Sequence, residues 1–156
     1  MASRLTDRDH EILELLSASV RLFSLQQIAE TWWPGTRNPQ ALADDRMRDL
    51  ARAGWIERYS ALYRPLPEIL TPVACWRPGN DRPNSGQVAW LVQSRWKFGP
   101  RKRDVVVATN RTTKSRSGRT ARKIKQYFQL THDIGVSQTY LRFRFIRPKE
   151  AVHWHG

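Results

Sequence analysis

The sequence has 156 residues, 40% of them hydrophobic, and sets 27 Lys and Arg against 14 Asp and Glu for a formal net charge of +13. That length fits one domain, or two small ones sharing a core. A single cysteine, Cys75, rules out an internal disulfide framework, and no apolar run is long enough for a membrane-spanning helix.

The first predicted helix starts after Thr6, an N-cap with Asp9 at the capping-box position, and ends near Ala18 or Ser19. Ile12, Leu13, Leu15 and Leu16 supply its apolar stripe, and Val20, Leu22 and Phe23 carry the connector toward the core. Ser24 caps a second helix, with Gln27 returning the bond, and Pro34 ends it. Trp32 and Trp33 close the base of the domain, and Gly35 fits the turn. The third helix runs from Pro39 to Ala53, with Asn38 as cap and Pro39 at the first helical position. Its buried side is Leu42 or Ala43, Met47, Leu50 and Ala51. Gln40, Asp44, Arg48 and Arg52 share an exposed side by four-residue spacing. Gly54 stops the helix and a strand, Trp55 to Tyr59, follows.

Three helices and then a strand is the order of a winged helix-turn-helix. In that arrangement the third helix enters a major groove while a hairpin touches the backbone. Candidate base readers are Asn38, Gln40, Arg46, Arg48 and Arg52, with Arg37 and Arg58 as phosphate contacts beside them. Asp44, Asp45 and Asp49 oppose DNA on the same helix. The stretch LTDRDHEILELLSASVRLFSLQQIAETWWPG, the following DDRMRDLARAGWIERY, and the later FQLTHDIGVSQTYLRFRF and VHWHG resemble the replication-relaxation-like family. That resemblance implies a winged-helix DNA-binding protein of bacterial plasmids or other mobile elements, and hence a cytoplasmic, nucleoid- or plasmid-associated location.

Pro65, Pro67 and Pro72 make residues 60–72 read as wing and linker, pinned by Leu62, Tyr63 and Leu66. Val73 to Trp76 reads as a short strand before a turn cluster at 77–81. Cys75, between Ala74 and Trp76, reads as a buried, inert thiol. Asn84 or Ser85 opens another helix that carries Val88, Ala89, Leu91, Val92 and Trp96, with a strand over 87–93 as the alternative. Asp104 to Thr109 reads as a buried strand.

Charge is distributed unevenly. Residues 1–60 hold 8 basic and 9 acidic groups, whereas residues 95–125 hold 12 and 1. Such a field attracts polyanions. Residues 110–121 lack a period and read as a mobile basic arm that orders against phosphate. Its contacts are Arg111, Lys114, Arg116, Arg119, Arg122, Lys123 and Lys125, with Arg101, Lys102 and Arg103 before it. A helix beginning at Thr120 places Ile124 and Phe128 on one side.

Leu130, Ile134, Ser137 or Gln138, Leu141 and Phe145 recur with helical spacing, widened by Val136, Tyr140 and Phe143. A helix to about Phe143 follows, although 141, 143 and 145 also alternate like a strand. So wide an apolar face either fills the core or builds a homodimer. No phosphate loop, paired cysteine set or carboxylate cluster is present. His132-Asp133 lacks a third partner, His153 and His155 are too few for a metal site, and Tyr127 and Tyr140 read as packing residues. The sequence thus predicts no catalytic group, cofactor or metal.

The expected architecture is α+β: a winged helix-turn-helix over 1–66 and a basic α/β extension over 67–156. The expected role is double-stranded DNA binding in replication, plasmid maintenance or transcription control. Two alternatives stand beside it: a protein–protein assembly adaptor dimerising through the last helix, and an RNA-binding factor using the arm.

Overall fold

A computed structural model describes residues 4–67, 71–118 and 129–154. Its first helix, α1 (Asp7–Ala18), forms where the capping box requires: the Asp9 carboxylate accepts from the Thr6 backbone N–H at 2.7 Å, and Thr6 Oγ1 accepts from Asp9 N at 3.3 Å. The same reciprocal pairing of Ser24 and Gln27 starts α2 (Leu25–Trp32). Asn38 caps α3 (Pro39–Arg52), with Pro39 where a missing N–H costs nothing. Gly54, at φ 75, takes the left-handed turn that ends it. Between α1 and α2, Phe23–Ser24 forms a two-residue strand, β1, too short for alternation to betray it.

The strand after α3 is longer than its sequence suggests. β2 spans Ile56–Tyr63, because Ala61 and Tyr63 continue the buried side beyond Tyr59. Its partner is β3 (Arg101–Ala108), antiparallel, in register from Ile56 opposite Ala108 to Tyr63 opposite Arg101. β1 pairs with the other edge of β3, giving the sheet order β1-β3-β2. The central strand therefore lies beyond position 66, where the sequence suggested a division. Val105, Val106 and Val107 bury on both faces, which explains their unbroken apolar run.

The connection from β2 to β3 carries one helix, α4 (Ser85–Ser94), capped by Asn84. Val73 to Trp76 is not a strand: Pro72 and Pro78 bracket it and only Val73 is even half-buried. Cys75 is exposed, contrary to the buried thiol expected of it.

The largest departure follows β3. Residues 110–117, expected as an unstructured arm, form α5 (Asn110–Ser117). Thr109 caps it, Gly118 in the left-handed region ends it, and α5 packs on α1. Thr112 and Thr113 are its buried side, so no run of aliphatic residues announced the helix. Thr113 and Ser117 return their hydroxyls to the carbonyls four residues back.

α6 (Leu130–Ile146) outlasts its expected end by three residues and excludes the strand alternative; α7 (Pro148–Ala151) follows. Leu130, Ile134, Ser137, Tyr140 and Leu141 are its buried face. Phe145, expected on that face, is 90% exposed. Gln27 donates to Ile134 O at 2.9 Å, and Arg21 pairs with Asp133 at 3.1 Å. Trp154 packs on Tyr140 with ring centroids 5.5 Å apart. The fold is mixed α+β, with seven helices and one small antiparallel sheet among the described residues.

Candidate nucleic-acid interface

The cationic residues divide by what already holds them. On α3, Arg46 turns inward. Its Nε donates to Asp9 at 2.9 Å, its Nη2 donates to Asp9 and to the Arg4 carbonyl, and its side chain is only 18% exposed. Burial raises the Asp9 pKa, but the bonds from Arg46 and Thr6 outweigh it and hold the carboxyl below its ordinary 3.8. Bonding to Asp9 in turn raises the Arg46 pKa. Arg46 therefore joins α3 to the cap of α1.

Arg48 bridges Asp44 and Asp45, and Arg52 pairs with Asp49, all on the exposed side of α3. At these positions the helix carries its own counter-ions. Asn38 uses its side-chain oxygen as the cap, accepting from Ala41 N. Arg37 and Gln40 are exposed at the start of the helix.

Arg58 is a clasp between α3 and the sheet: its Nη2 lies 2.7 Å from both Asp44 and Asp104. Burial disfavours its charge, yet the two carboxylates raise its pKa on balance. Arg111 donates to the Ala53 carbonyl at 2.7 Å and stacks over Trp55 at 3.9 Å from the ring centroid. It satisfies an orphan carbonyl at the end of α3, as the Thr109 hydroxyl does at Gly54 O, 2.8 Å away. Arg116 reaches α1, with Nη2 2.6 Å from His10 Nδ1 and Nη1 3.6 Å from Glu14. Of the expected arm, only Lys114 among the described residues stands in solvent without a partner. Arg119, Arg122, Lys123 and Lys125, like Tyr127, His155 and the helix expected from Thr120, lie outside the described residues.

The uncompensated charge lies in the β2–β3 pair and its long connection. Residues 64–103 hold Arg64, Arg77, Arg82, Arg95, Lys97, Arg101, Lys102 and Arg103. Among the described residues none of these eight forms an ion pair. Arg95 donates to the Thr71 carbonyl, Arg103 to Gln26, and Arg101 stacks over Phe98; all three keep their charge. The strand register sets Arg101 and Lys102 opposite Tyr63 and Leu62, at the open end of the pair. α3 turns at Gly54 directly into β2, and Arg58 ties the strand back to Asp44 on the helix. The loose ends of the sequence supplied this cluster, and the acid-free run from 82 to 103 was its signal.

Other chemistry has little to stand on among the described residues. No group of three or more His, Cys, Asp or Glu is placed to hold a metal. His132 Nδ1 sits 3.4 Å from Asp133, a carboxylate already bound by Arg21. Tyr140 is a core residue. A cleft of about 540 Å³ opens between α2, the 63–67 segment and α6. Tyr63 in its wall is raised in pKa by burial, only partly offset by its bond with Ser24. Among the described residues no helix is long and apolar enough to cross a membrane. No family model, curated protein or solved structure matches the chain.

Proposed function

We propose that the chain is a winged-helix protein that binds double-stranded DNA, with α3 as the helix offered to the major groove and the β2–β3 pair as the wing. The order α1-β1-α2-α3-β2-β3, with α4 inserted in the β2–β3 connection, and the sheet order β1-β3-β2 support that reading of the fold. So does the resemblance to replication-relaxation-like proteins in the 5–59 stretch. Under this reading plasmid maintenance, replication or transcription control is the setting, and no catalytic step is assigned to the chain.

The carrying observation is that Arg64, Arg101, Lys102 and Arg103 lie at the open end of the β2–β3 pair with no carboxylate partner among the described residues. Arg37, Arg64, Lys102 and Arg103 contact phosphates, while Gln40 and the exposed Arg48 meet base edges. Arg48 reaches a base only by leaving Asp44 and Asp45, so its contribution goes to selectivity more than affinity. Arg46, Arg58, Arg111 and Arg116 hold the helices that present this surface.

Selection from random duplex DNA with random RNA as competitor tests the reading. Enrichment of a duplex motif that Arg48→Ala alters supports base readout by α3. If binding at physiological salt shows no preference for duplex over RNA or heparin, the reading fails.

A second reading rests on Phe145, Ile146 and Val152, all strongly exposed beyond the buried part of α6. These residues suit an assembly surface, and a homodimer through them sets two copies of α3 on one duplex.

A further inference from the structure

The connection between β2 and β3 carries a second feature, independent of the duplex reading. Three aromatic rings in it stand in solvent: Trp76 is 50% exposed, Trp90 66% and Phe98 55%. A single exposed ring is ordinary, but three in one connection point to an interaction surface. Trp90 lies on the solvent side of α4, because Val88, Leu91 and Val92 are the residues that turn partly inward. The ring is therefore surplus to the packing of that helix. Phe98 carries the Arg101 guanidinium 4.5 Å from its centroid, and its remaining surface is open. Trp96 Nε1 donates to the Pro65 carbonyl at 2.7 Å, which ties the approach to Phe98 against the segment just after β2. From Trp90 to Phe98 the chain is half helical, so their Cα atoms lie no more than roughly 20 Å apart.

The surrounding charge selects the partner. Between residues 71 and 103 there are seven basic groups and one acidic one, Asp81. Open rings set among unpaired cations suit a strand whose bases are free to stack and whose backbone is anionic. Duplex DNA hides its base faces and cannot use the rings. An acidic peptide matches the charge but offers nothing flat to them.

We infer that Trp90 and Phe98, flanked by Lys97, Arg101 and Lys102, form a stacking platform for single-stranded nucleic acid, with Trp76 as a further contact. Each ring takes one base, and the cations follow the phosphates. The contact is sequence-tolerant, since every base has a face to offer.

The test uses the full chain with a labelled 15-nucleotide oligothymidylate, a duplex of equal length, and polyglutamate. Wild type is expected to bind the oligothymidylate with quenched tryptophan emission and to bind polyglutamate more weakly. Trp90→Ala/Phe98→Ala should weaken oligothymidylate binding by roughly tenfold or more, since a stacked ring contributes on that order. Duplex affinity should stay within about threefold. Both rings are exposed, so the variant should melt like wild type. Lys97→Glu/Lys102→Glu, which leaves the rings in place, should weaken both nucleic acids. If the ring variant binds oligothymidylate as wild type does, or polyglutamate binds equally well, the platform is refuted. Loss of oligothymidylate binding in a protein that never bound duplex would retain the platform and sink the duplex reading instead.

Discussion

Replacing Arg46 by methionine separates a structural arginine from a base-reading one. The Asp9 carboxylate is buried and takes donors from Thr6 N, Thr6 Oγ1 and both Nε and Nη2 of Arg46. Methionine keeps the stem of the side chain and removes the charge, both bonds to Asp9 and the bond to the Arg4 carbonyl. Breaking a buried pair by removing one partner costs about 3–5 kcal/mol, mostly through the charge left behind. Arg46 is 18% exposed, so water can reach part of the vacated space and the lower end applies. A loss of about 3 kcal/mol in a chain of this size lowers the melting temperature by roughly 6–12 °C. Thermal and urea unfolding measure it. Adding Asp9→Asn to Arg46→Met should cost less than the two single losses summed, because the stranded charge is gone. Were Arg46 a base reader, Arg46→Met would leave unfolding unchanged and alter DNA preference. A shift under about 2 °C would refute the structural role.

Four further outcomes follow from the same contacts. If Arg37, Arg64, Lys102 and Arg103 each neutralise one phosphate, duplex affinity falls with salt at a log–log slope near −3.6, and Arg37→Ala/Lys102→Ala makes it shallower by about 1.8; an unchanged slope in anisotropy titrations would remove both residues from the interface. Asp9 and Glu11 ordinarily titrate at 3.8 and 4.5; burial raises both, but bonds from Arg46 and Thr6, and from Arg144 and Trp32, lower them on balance. Depressed carboxyls stabilise the fold above their unfolded pKa and lose that contribution as pH falls through the folded one, so stability should decline below about pH 4.5, and Asp9→Asn should flatten the decline in acid-unfolding curves. Arg111→Ala should destabilise by about 1–2 kcal/mol through the lost carbonyl bond and stacking on Trp55, with the salt slope of DNA binding intact. Sedimentation of Phe145→Asp should show a smaller mass than wild type at micromolar protein, whereas a wild-type monomer would dismiss the dimer.

The first 59 residues were legible because their signals are local. A capping oxygen and its partner three residues on, a proline at the first helical position and a glycine past the last each act within one turn. The same local reading overlooked β1, since Phe23–Ser24 is a strand only by virtue of β3, more than seventy residues away. It overlooked α5 for a different reason. The buried side of that helix is made of Thr112 and Thr113, whose hydroxyls are satisfied by the Trp55 carbonyl and by the preceding turn. Such residues carry no hydrophobic period, and in the sequence they look the same as a solvated basic tract. The exposed Phe145 bears on the choice the sequence left open: an apolar residue at the right spacing need not find the core of its own protomer.

Counting charge does not tell a cation held within the fold from one left facing solvent. Of the 27 basic residues 21 are arginine, and an arginine fork can satisfy carboxylates and carbonyls inside a fold as readily as phosphates outside it. Two kinds of engagement then have different consequences. Arg46, Arg48, Arg52 and Arg58 face carboxylates and lose their long-range field. Arg95 and Arg111 face carbonyls, so they keep their charge while their donors are occupied. The N-terminal 60 residues were nearly neutral as a sum, and the fold cancels much of their charge pair by pair. The 64–103 stretch has almost no acid with which to cancel. Its field remains directed outward, and the proposed nucleic-acid surface rests on that imbalance.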